Sequence, residues 1–174
     1  MGQIQRIGLL GLTGVGKTTV AEHLRAVHHF QICSTGAMCR AVSKLVFGNE
    51  EKANLFALTD ALQALDPAIF LKAALRNVST GAPIVIDAIR YAHDYDYAQV
   101  NDFFLIRVVA SEIHRRKWLQ ARGQTFDFRK DTTHKSETAL RDASVSAVLN
   151  NDGSRDRLLE TVDALLKENG RDKT

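Results

Sequence analysis

The sequence GLTGVGKT at residues 11–18 matches the phosphate-binding pattern G-x-x-x-x-G-K-[ST] at every fixed position. The apolar run at residues 4–10 predicts a buried strand before it, and Val20 and Leu24 recur at helical spacing after it. Glycines in such a loop turn successive backbone N–H groups inward, and the following helix directs its positive end at the same place. This segment, called the phosphate loop below, therefore predicts a site for a nucleoside triphosphate.

The end of the phosphate loop carries the side chains that triphosphate chemistry needs. In loops of this type the lysine, here Lys17, reaches the terminal phosphates, and the hydroxyl of the next residue, Thr18, can hold Mg²⁺. A second apolar run at residues 84–86 ends on Asp87, which predicts a carboxylate near the metal or its water shell. An ordinary capping role is the alternative for Asp87. We therefore expect ATP and Mg²⁺ as ligands, with Thr18 and Asp87 at the metal.

Composition narrows the class of protein. A chain of 174 residues with 45% hydrophobic content suits one folded domain. The net charge of +3 arises from basic residues spread along the chain beside acidic ones, so we expect small nucleotides and no nucleic acid as partners. Cys33 and Cys39 do not have the spacing of a disulfide framework or a zinc site. Because no signal-like or membrane-spanning apolar run occurs, we expect a cytoplasmic protein with no membrane partner.

Apolar runs and helical patterns alternate along the rest of the chain. After the first strand, further strands are predicted at about residues 30–33, 84–87, 103–110 and 145–149. Helices are predicted at about residues 17–27, 35–46, 51–79 with a restart at Asp66-Pro67, 91–100, 111–123, from 137, and 154–168. This order of elements predicts an α/β protein with three layers, in which a five-stranded parallel sheet carries helices on both faces.

The arginines indicate what receives the phosphate. Transfer to a hydroxyl usually needs a carboxylate that takes up the proton, whereas a phosphate acceptor is already ionised and needs mainly arginines. The turn at residues 33–37 has no carboxylate, and Arg40 follows one helical turn later. Arg90 similarly follows Asp87, and the helix predicted at residues 111–123 supplies more arginines. This pattern favours a phosphate acceptor.

The same residues resemble segments of the P-loop nucleoside and deoxynucleoside monophosphate kinases. STGAMCR at residues 34–40 resembles the S-T-G-D-M-L-R segment of adenylate kinases, with Ala37 in place of the aspartate. IDAIR at residues 86–90 is similar to their D-G-x-x-R segment, with one residue fewer between Asp and Arg. HKSE at residues 134–137 and NDGS at residues 151–154 resemble elements of the phage and bacterial deoxynucleoside monophosphate kinases.

The resemblance implies the P-loop NTPase fold and a single kinase domain over residues 1–174. Within it, an acceptor-binding helical region is expected at about residues 35–80 and a short lid at about residues 122–136. The implied activity is ATP-dependent transfer of the γ-phosphate to a nucleoside or deoxynucleoside monophosphate, by a monomer or homodimer. Two alternatives remain: a P-loop kinase with a hydroxyl acceptor, similar to dephospho-coenzyme A kinase, and a non-catalytic nucleotide-binding regulator.

The candidate site residues fall into groups by expected role. The catalytic candidates are Lys17, Arg90, Arg115 and Arg122. The ATP-binding candidates are Gly11, Thr13, Gly14, Val15, Gly16, Lys17, Thr18, Thr19, Asn151 and Gly153. The acceptor-binding candidates are Thr35, Gly36, Arg40, Arg90 and Arg129. For Arg115, Arg122 and Arg129 the alternative is a solvated surface charge, and for the turn at residues 150–154 it is plain helix capping.

Overall fold

The strands are short, apolar runs that pair into one parallel sheet. The computed structural model describes residues 4–123 and 138–169. Its strands are β1 Arg6–Leu10, β2 Gln31–Cys33, β3 Ile84–Ile86, β4 Phe104–Val109 and β5 Ala147–Asn150, in the spatial order β2-β3-β1-β4-β5. Both faces of a parallel sheet are covered, and accordingly the side chains of Ile7, Leu9, Val85 and Ile86 are fully buried.

Helices cover the two faces of this sheet. Their bounds are α1 Lys17–His28, α2 Thr35–Phe47, α3 Lys52–Leu65, α4 Ile69–Leu75, α5 Ala92–Val100, α6 Glu112–Ala121 and α7 Arg155–Asn169. On one face, α1 and α7 contribute Val20, Leu24 and Val162 to the core. On the other face, Leu71 of α4 and Ala98 of α5 pack in a second core. The predicted three-layer α/β fold with a five-stranded parallel sheet is therefore confirmed.

Short polar signals fix where the helices on the second face begin. Ser34 accepts a hydrogen bond from the Ala37 N–H at 3.1 Å, so its side chain caps α2. Asp66 accepts one from the Ala68 N–H at 3.0 Å in the turn between α3 and α4. The predicted restart at Asp66 is thus present, but α4 itself begins only at Ile69.

For two of the predicted helices, the predicted ends differ from what the structure describes. The helical pattern that extends to residue 79 stops at Leu75, because Asn77 and Val78 donate to carbonyls three residues back and tighten the chain into a turn. The helix predicted from residue 137 begins outside the described residues, and residues 139–142 form turns.

The predicted lid at about residues 122–136 lies almost wholly outside the described residues, and so does Arg129. Its bounds, and the acceptor-binding region at about residues 35–80, stay predictions. In the part of the chain that the structure describes, every helix is too short or too polar to cross a membrane.

Candidate active site

The phosphate loop joins β1 to α1 and passes unusually close to its neighbours. Gly11 has φ 133°, and a Cβ there would lie 2.2 Å from the Val108 carbonyl oxygen of β4. Gly16 has φ 103°, and a Cβ there would lie 2.5 Å from Nδ2 of Asn151. Only glycine allows both the left-handed backbone and the close approach. Because Gly16 and Lys17 line the adjoining cleft, the positive end of α1 faces that cleft.

Two buried polar side chains brace the loop from behind. Asn151 is 6% exposed, and its Nδ2 donates a hydrogen bond to the Val15 carbonyl oxygen at 2.9 Å. Arg115 is 3% exposed, and its Nε donates to the Thr13 carbonyl oxygen at 2.8 Å. The sequence prediction placed Arg115 over the transferring group and Asn151 beside the ATP base. In this structure both side chains donate hydrogen bonds to carbonyl oxygens of the loop. Their predicted roles toward ATP stay predictions.

The Asn151 hydrogen bond gives a stability prediction. Asn151→Ala leaves the Val15 carbonyl without its donor, so we expect the free energy of unfolding to fall by about 1–3 kcal/mol. Urea unfolding measures the loss. Asn150→Ala is the matched control, because that neighbouring side chain is exposed and bonds only within its own turn. Equal losses in the two variants would contradict the bracing role.

A cleft of about 400 Å³ adjoins the phosphate loop and extends along α2, α3 and α4. The predicted site residues that line it together are Thr13, Gly14, Gly16, Lys17, Thr18, Thr35, Gly36, Arg40, Asp87, Arg90 and Arg122. Those that do not line it are Gly11, Val15, Thr19, Arg115, Asn151 and Gly153. The residues predicted for the phosphate donor and those predicted for the acceptor therefore share one cleft.

Lys17 and Asp87 lie at the junction of the loop and the cleft. The Lys17 ammonium donates to the carbonyl oxygens of Gly11 at 2.6 Å and Leu12 at 2.9 Å. Burial raises the pKa of Asp87, although a hydrogen bond from Ser34 and the positive charges of Arg90, Lys17 and Arg40 oppose that rise. Asp87, Lys17, Arg40 and Arg90 all line this cleft.

The residues present fit the predicted metal. Oδ1 of Asp87 is buried and has no hydrogen-bond partner among residues 4–123 and 138–169, and Thr18 lines the same cleft. Carboxylate and hydroxyl oxygens, together with water and phosphate oxygens, are the ligands that Mg²⁺ takes. Thr18 and Asp87 are therefore the residues that could hold Mg²⁺ or its water shell.

The Arg40 guanidinium lies at the edge of the cleft beside Gly36. Its Nη1 lies 3.4 Å from where a Cβ of Gly36 would be, so the guanidinium rests against the first turn of α2. Its Nε is 3.9 Å from Glu50, and both side chains are about half exposed, so this ion pair is weak. An anion in the cleft can therefore take the Arg40 guanidinium as a partner.

Sequence reasoning missed the rest of the cleft wall. Lining residues that it did not name as site candidates include Phe56, Thr59, Gln63, Phe70, Tyr91, His93 and Asp94. Phe70 is buried in a small hydrophobic core and also lines the cleft. The rings of Tyr91 and His93 stack with centroids 5.4 Å apart at 9°.

Asp94 is a buried carboxyl group in this wall. It is 3% exposed, and burial raises its pKa to about 7. His93 lies beside it, with Nε2 3.4 Å from Oδ1, and burial lowers the pKa of His93. Cys33 is inert by contrast, because burial, with smaller contributions from Asp87 and Asp94, raises its pKa to about 12. Asp94 therefore changes charge near neutral pH inside the cleft.

The raised pKa of Asp94 predicts a pH-dependent stability. The unfolded carboxyl group titrates near pH 4 and the folded one near pH 7, so the folded state binds one more proton between these values. The contribution of the Asp94 carboxyl group to the free energy of unfolding is therefore fully present below about pH 4, and it is lost as the pH rises to about 7. We expect the stability of the wild type, relative to Asp94→Asn, to fall by on the order of a few kcal/mol over that interval.

Urea unfolding at several pH values between about 4 and 8 tests this expectation. Asp96→Asn is the matched control, because Asp96 lies on the same helix but is exposed. If the free energy of unfolding changed with pH in the same way for the wild type and for Asp94→Asn, Asp94 would not take up a proton on folding.

Comparison with solved structures places the chain in a class of fold. It is similar to a gluconokinase from Sinorhizobium meliloti 1021, with 12% identity, 97% of this chain and 95% of that chain covered, and a TM-score of 0.62. It is also similar to shikimate kinase from Acinetobacter baumannii in complex with shikimate, with 14% identity and a TM-score of 0.60. That match covers 97% of this chain and 96% of the other. A third similar structure is TT1252 from Thermus thermophilus, with 21% identity and a TM-score of 0.58. That match covers 96% of this chain and 98% of the other.

These likenesses define the fold as that of the P-loop kinases. No family model and no curated protein sequence matches the chain. At such low identities the shared architecture shows the fold alone, so the substrate must be argued from the cleft.

Proposed function

We propose that this protein is an ATP-dependent kinase that transfers the γ-phosphoryl group to the phosphate of a nucleoside or deoxynucleoside monophosphate. The observation that carries the proposal is that Arg40 and Arg90 line the same cleft as Lys17 and Thr18. Two arginines opposite a phosphate loop suit an acceptor that is itself a phosphate, because guanidinium groups bind phosphate oxygens in bidentate geometry.

The donor half uses the phosphate loop. Its backbone N–H groups and the start of α1 attract the phosphates of ATP, and Lys17 lies beside them. Thr18 and Asp87 would hold Mg²⁺, which when bound neutralises charge on the ATP phosphates. Arg122, which lines the cleft next to Leu119 and Gly14, would contact the transferring group.

The acceptor half combines cations with a partly aromatic wall. Phe56, Phe70 and Tyr91 line the cleft, and so do the polar side chains of Thr59 and Gln63. Aromatic side chains can stack on the face of a planar heterocycle, and polar side chains can form hydrogen bonds with its edge. This wall supports a nucleoside monophosphate more than a small polyol, which offers no ring to stack.

The chemistry needs no proton acceptor in this scheme. An oxygen of the acceptor phosphate is already ionised, and it forms a bond to the γ-phosphorus while the bond from that phosphorus to the β-bridging oxygen breaks. The products are ADP and a nucleoside diphosphate. Arg40 and Arg90 reduce the repulsion between the two anions and hold the acceptor in line.

Asp94 favours a second candidate function, a P-loop kinase with a hydroxyl acceptor. A buried carboxyl group with a pKa near 7 could take the proton of an attacking hydroxyl. The structural neighbours include small-molecule kinases, shikimate kinase among them. The turn at residues 33–37 carries no carboxylate, and Arg40 and Arg90 suit a phosphate acceptor. For that reason we place the hydroxyl acceptor second. A nucleotide-binding regulator without turnover is the third candidate.

A panel assay tests the proposal. The protein is incubated with Mg-ATP and, in turn, each ribo- and deoxyribonucleoside monophosphate, dephospho-coenzyme A, shikimate and gluconate, and ADP release is followed. We expect release to depend on one or more of the monophosphates and to disappear in Lys17→Ala, which controls for contaminating kinases. Release that depends on dephospho-coenzyme A or a polyol alone supports the second function, and ATP binding with no turnover supports the third.

A further inference from the structure

A second cluster of reactive side chains joins α1 to α7 outside the candidate active site. Nε2 of His23 and Nε2 of His28 each lie 2.7 Å from Oδ1 of Asp163. The two imidazole rings meet edge to face, with centroids 5.6 Å apart and planes at 74°. None of the three side chains lines the cleft, so the proposed kinase chemistry does not explain why they converge.

The convergence is not a consequence of helix geometry alone. His23 and His28 are five residues apart on α1, so their Cα positions diverge by roughly 140° around the helix axis. Both rings nevertheless turn towards one oxygen of Asp163, which α7 supplies from the neighbouring helix. Three candidate ligand atoms from two helices thereby lie within 4.8 Å of one another.

The spacing of these atoms suits a tetrahedral metal ion. Zn²⁺ binds imidazole nitrogen and carboxylate oxygen at about 2.0–2.2 Å, which sets neighbouring ligand atoms roughly 3.3 Å apart. The Nε2 to Oδ1 distances of 2.7 Å need to open by about 0.6 Å to reach that value. Small rotations of the side chains supply such a movement without displacing either helix.

The cluster is also open to solvent. The side chain of His23 is 11% exposed, that of His28 27% and that of Asp163 32%. A metal ion can therefore reach the ligand atoms, and water can occupy a fourth position. The types of ligand atom also favour certain metals. Imidazole nitrogen suits transition metal ions such as Zn²⁺, Ni²⁺, Cu²⁺ and Co²⁺, whereas Mg²⁺ prefers oxygen ligands.

We propose that His23, His28 and Asp163 form a binding site for one divalent transition metal ion of the Zn²⁺ class. The ion fastens the helix that begins at the phosphate loop to α7. This ion is separate from the Mg²⁺ proposed for Thr18 and Asp87.

The test measures binding of Zn²⁺ and Co²⁺ to the full, untagged chain in the presence of saturating Mg²⁺. We expect one equivalent of Zn²⁺ by calorimetry, a thermal unfolding midpoint that rises with Zn²⁺ concentration, and a visible Co²⁺ spectrum without thiolate bands. His28→Gln and Asp163→Asn should each weaken Zn²⁺ binding by more than about 10-fold and abolish the rise in midpoint. His23→Gln removes the third proposed ligand and should weaken Zn²⁺ binding in the same way.

His29→Asn is the matched control. His29 follows the last residue of α1 in the left-handed conformation with φ 60°, which asparagine tolerates, and it is exposed. It should bind Zn²⁺ as the wild type does. Circular dichroism in chelator verifies that each variant is folded, and the Co²⁺ spectrum of the wild type tests the site even if a variant fails to fold. The proposal is overturned if the wild type takes up no Zn²⁺ below millimolar concentration, if His28→Gln binds as tightly as the wild type, or if thiolate bands dominate the Co²⁺ spectrum.

Discussion

Lys17→Ala is expected to lower the rate of phosphoryl transfer at least about 100-fold, because it removes the cation that the phosphate loop places beside the terminal phosphates of ATP. The ammonium already lies inside the loop, where the carbonyl oxygens of Gly11 and Leu12 accept its hydrogen bonds. Charge that develops during transfer is stabilised most by groups fixed in advance, so the loss should appear mainly in kcat. ADP release with the preferred acceptor measures it.

Lys167→Ala is the control for this variant. Lys167 is an exposed lysine of α7 that does not line the cleft, so its removal alters the net charge by the same amount and should leave the rate unchanged. If Lys17→Ala retained activity within about threefold of the wild type while Lys167→Ala behaved normally, the loop would not be the donor site.

Arg40→Ala is expected to raise the KM for the acceptor by about 10- to 100-fold, which corresponds to the loss of a hydrogen bond to a charged group. The Kd of ATP should change by less than about twofold, because Arg40 belongs to α2 and not to the phosphate loop. Steady-state kinetics with varied acceptor, beside calorimetry with ATP, separates the two constants.

Lys44→Ala is matched to Arg40→Ala. It removes a positive charge one turn further along α2, from an exposed side chain outside the cleft. The acceptor role of Arg40 would have to be abandoned if its removal weakened ATP binding as much as acceptor binding, or if Lys44→Ala gave the same rise in KM.

The phosphate loop and the parallel sheet could be predicted from the sequence because each depends on local signals. A glycine pattern that lies between an apolar run and residues at helical spacing predicts a loop between a strand and a helix. Lys17, Thr18 and Arg40 were selected from the same kind of local pattern, and all three line the cleft. Their donor and acceptor roles stay predictions.

The remaining features depend on contacts between distant parts of the chain. Asn151 lies 136 positions from Val15, and nothing near it in the sequence indicates that its amide supports the loop. Asp94 lies in a polar segment whose hydrophobic pattern gives no hint of burial, yet packing makes it one of the least exposed charged residues described. The convergence of His23, His28 and Asp163 likewise exists only after α7 packs on α1.

The nature of the bond formed tests the proposed function most directly. With the acceptor that the panel identifies, ³¹P NMR of the reaction mixture shows whether the transferred phosphorus becomes part of a phosphoanhydride or of a phosphate monoester. Transfer to the phosphate held by Arg40 and Arg90 predicts a new nucleoside diphosphate, seen as two phosphorus signals coupled through one bridging oxygen. A new uncoupled monoester signal beside ADP would contradict it and would make Asp94, rather than the two arginines, the residue that activates the acceptor.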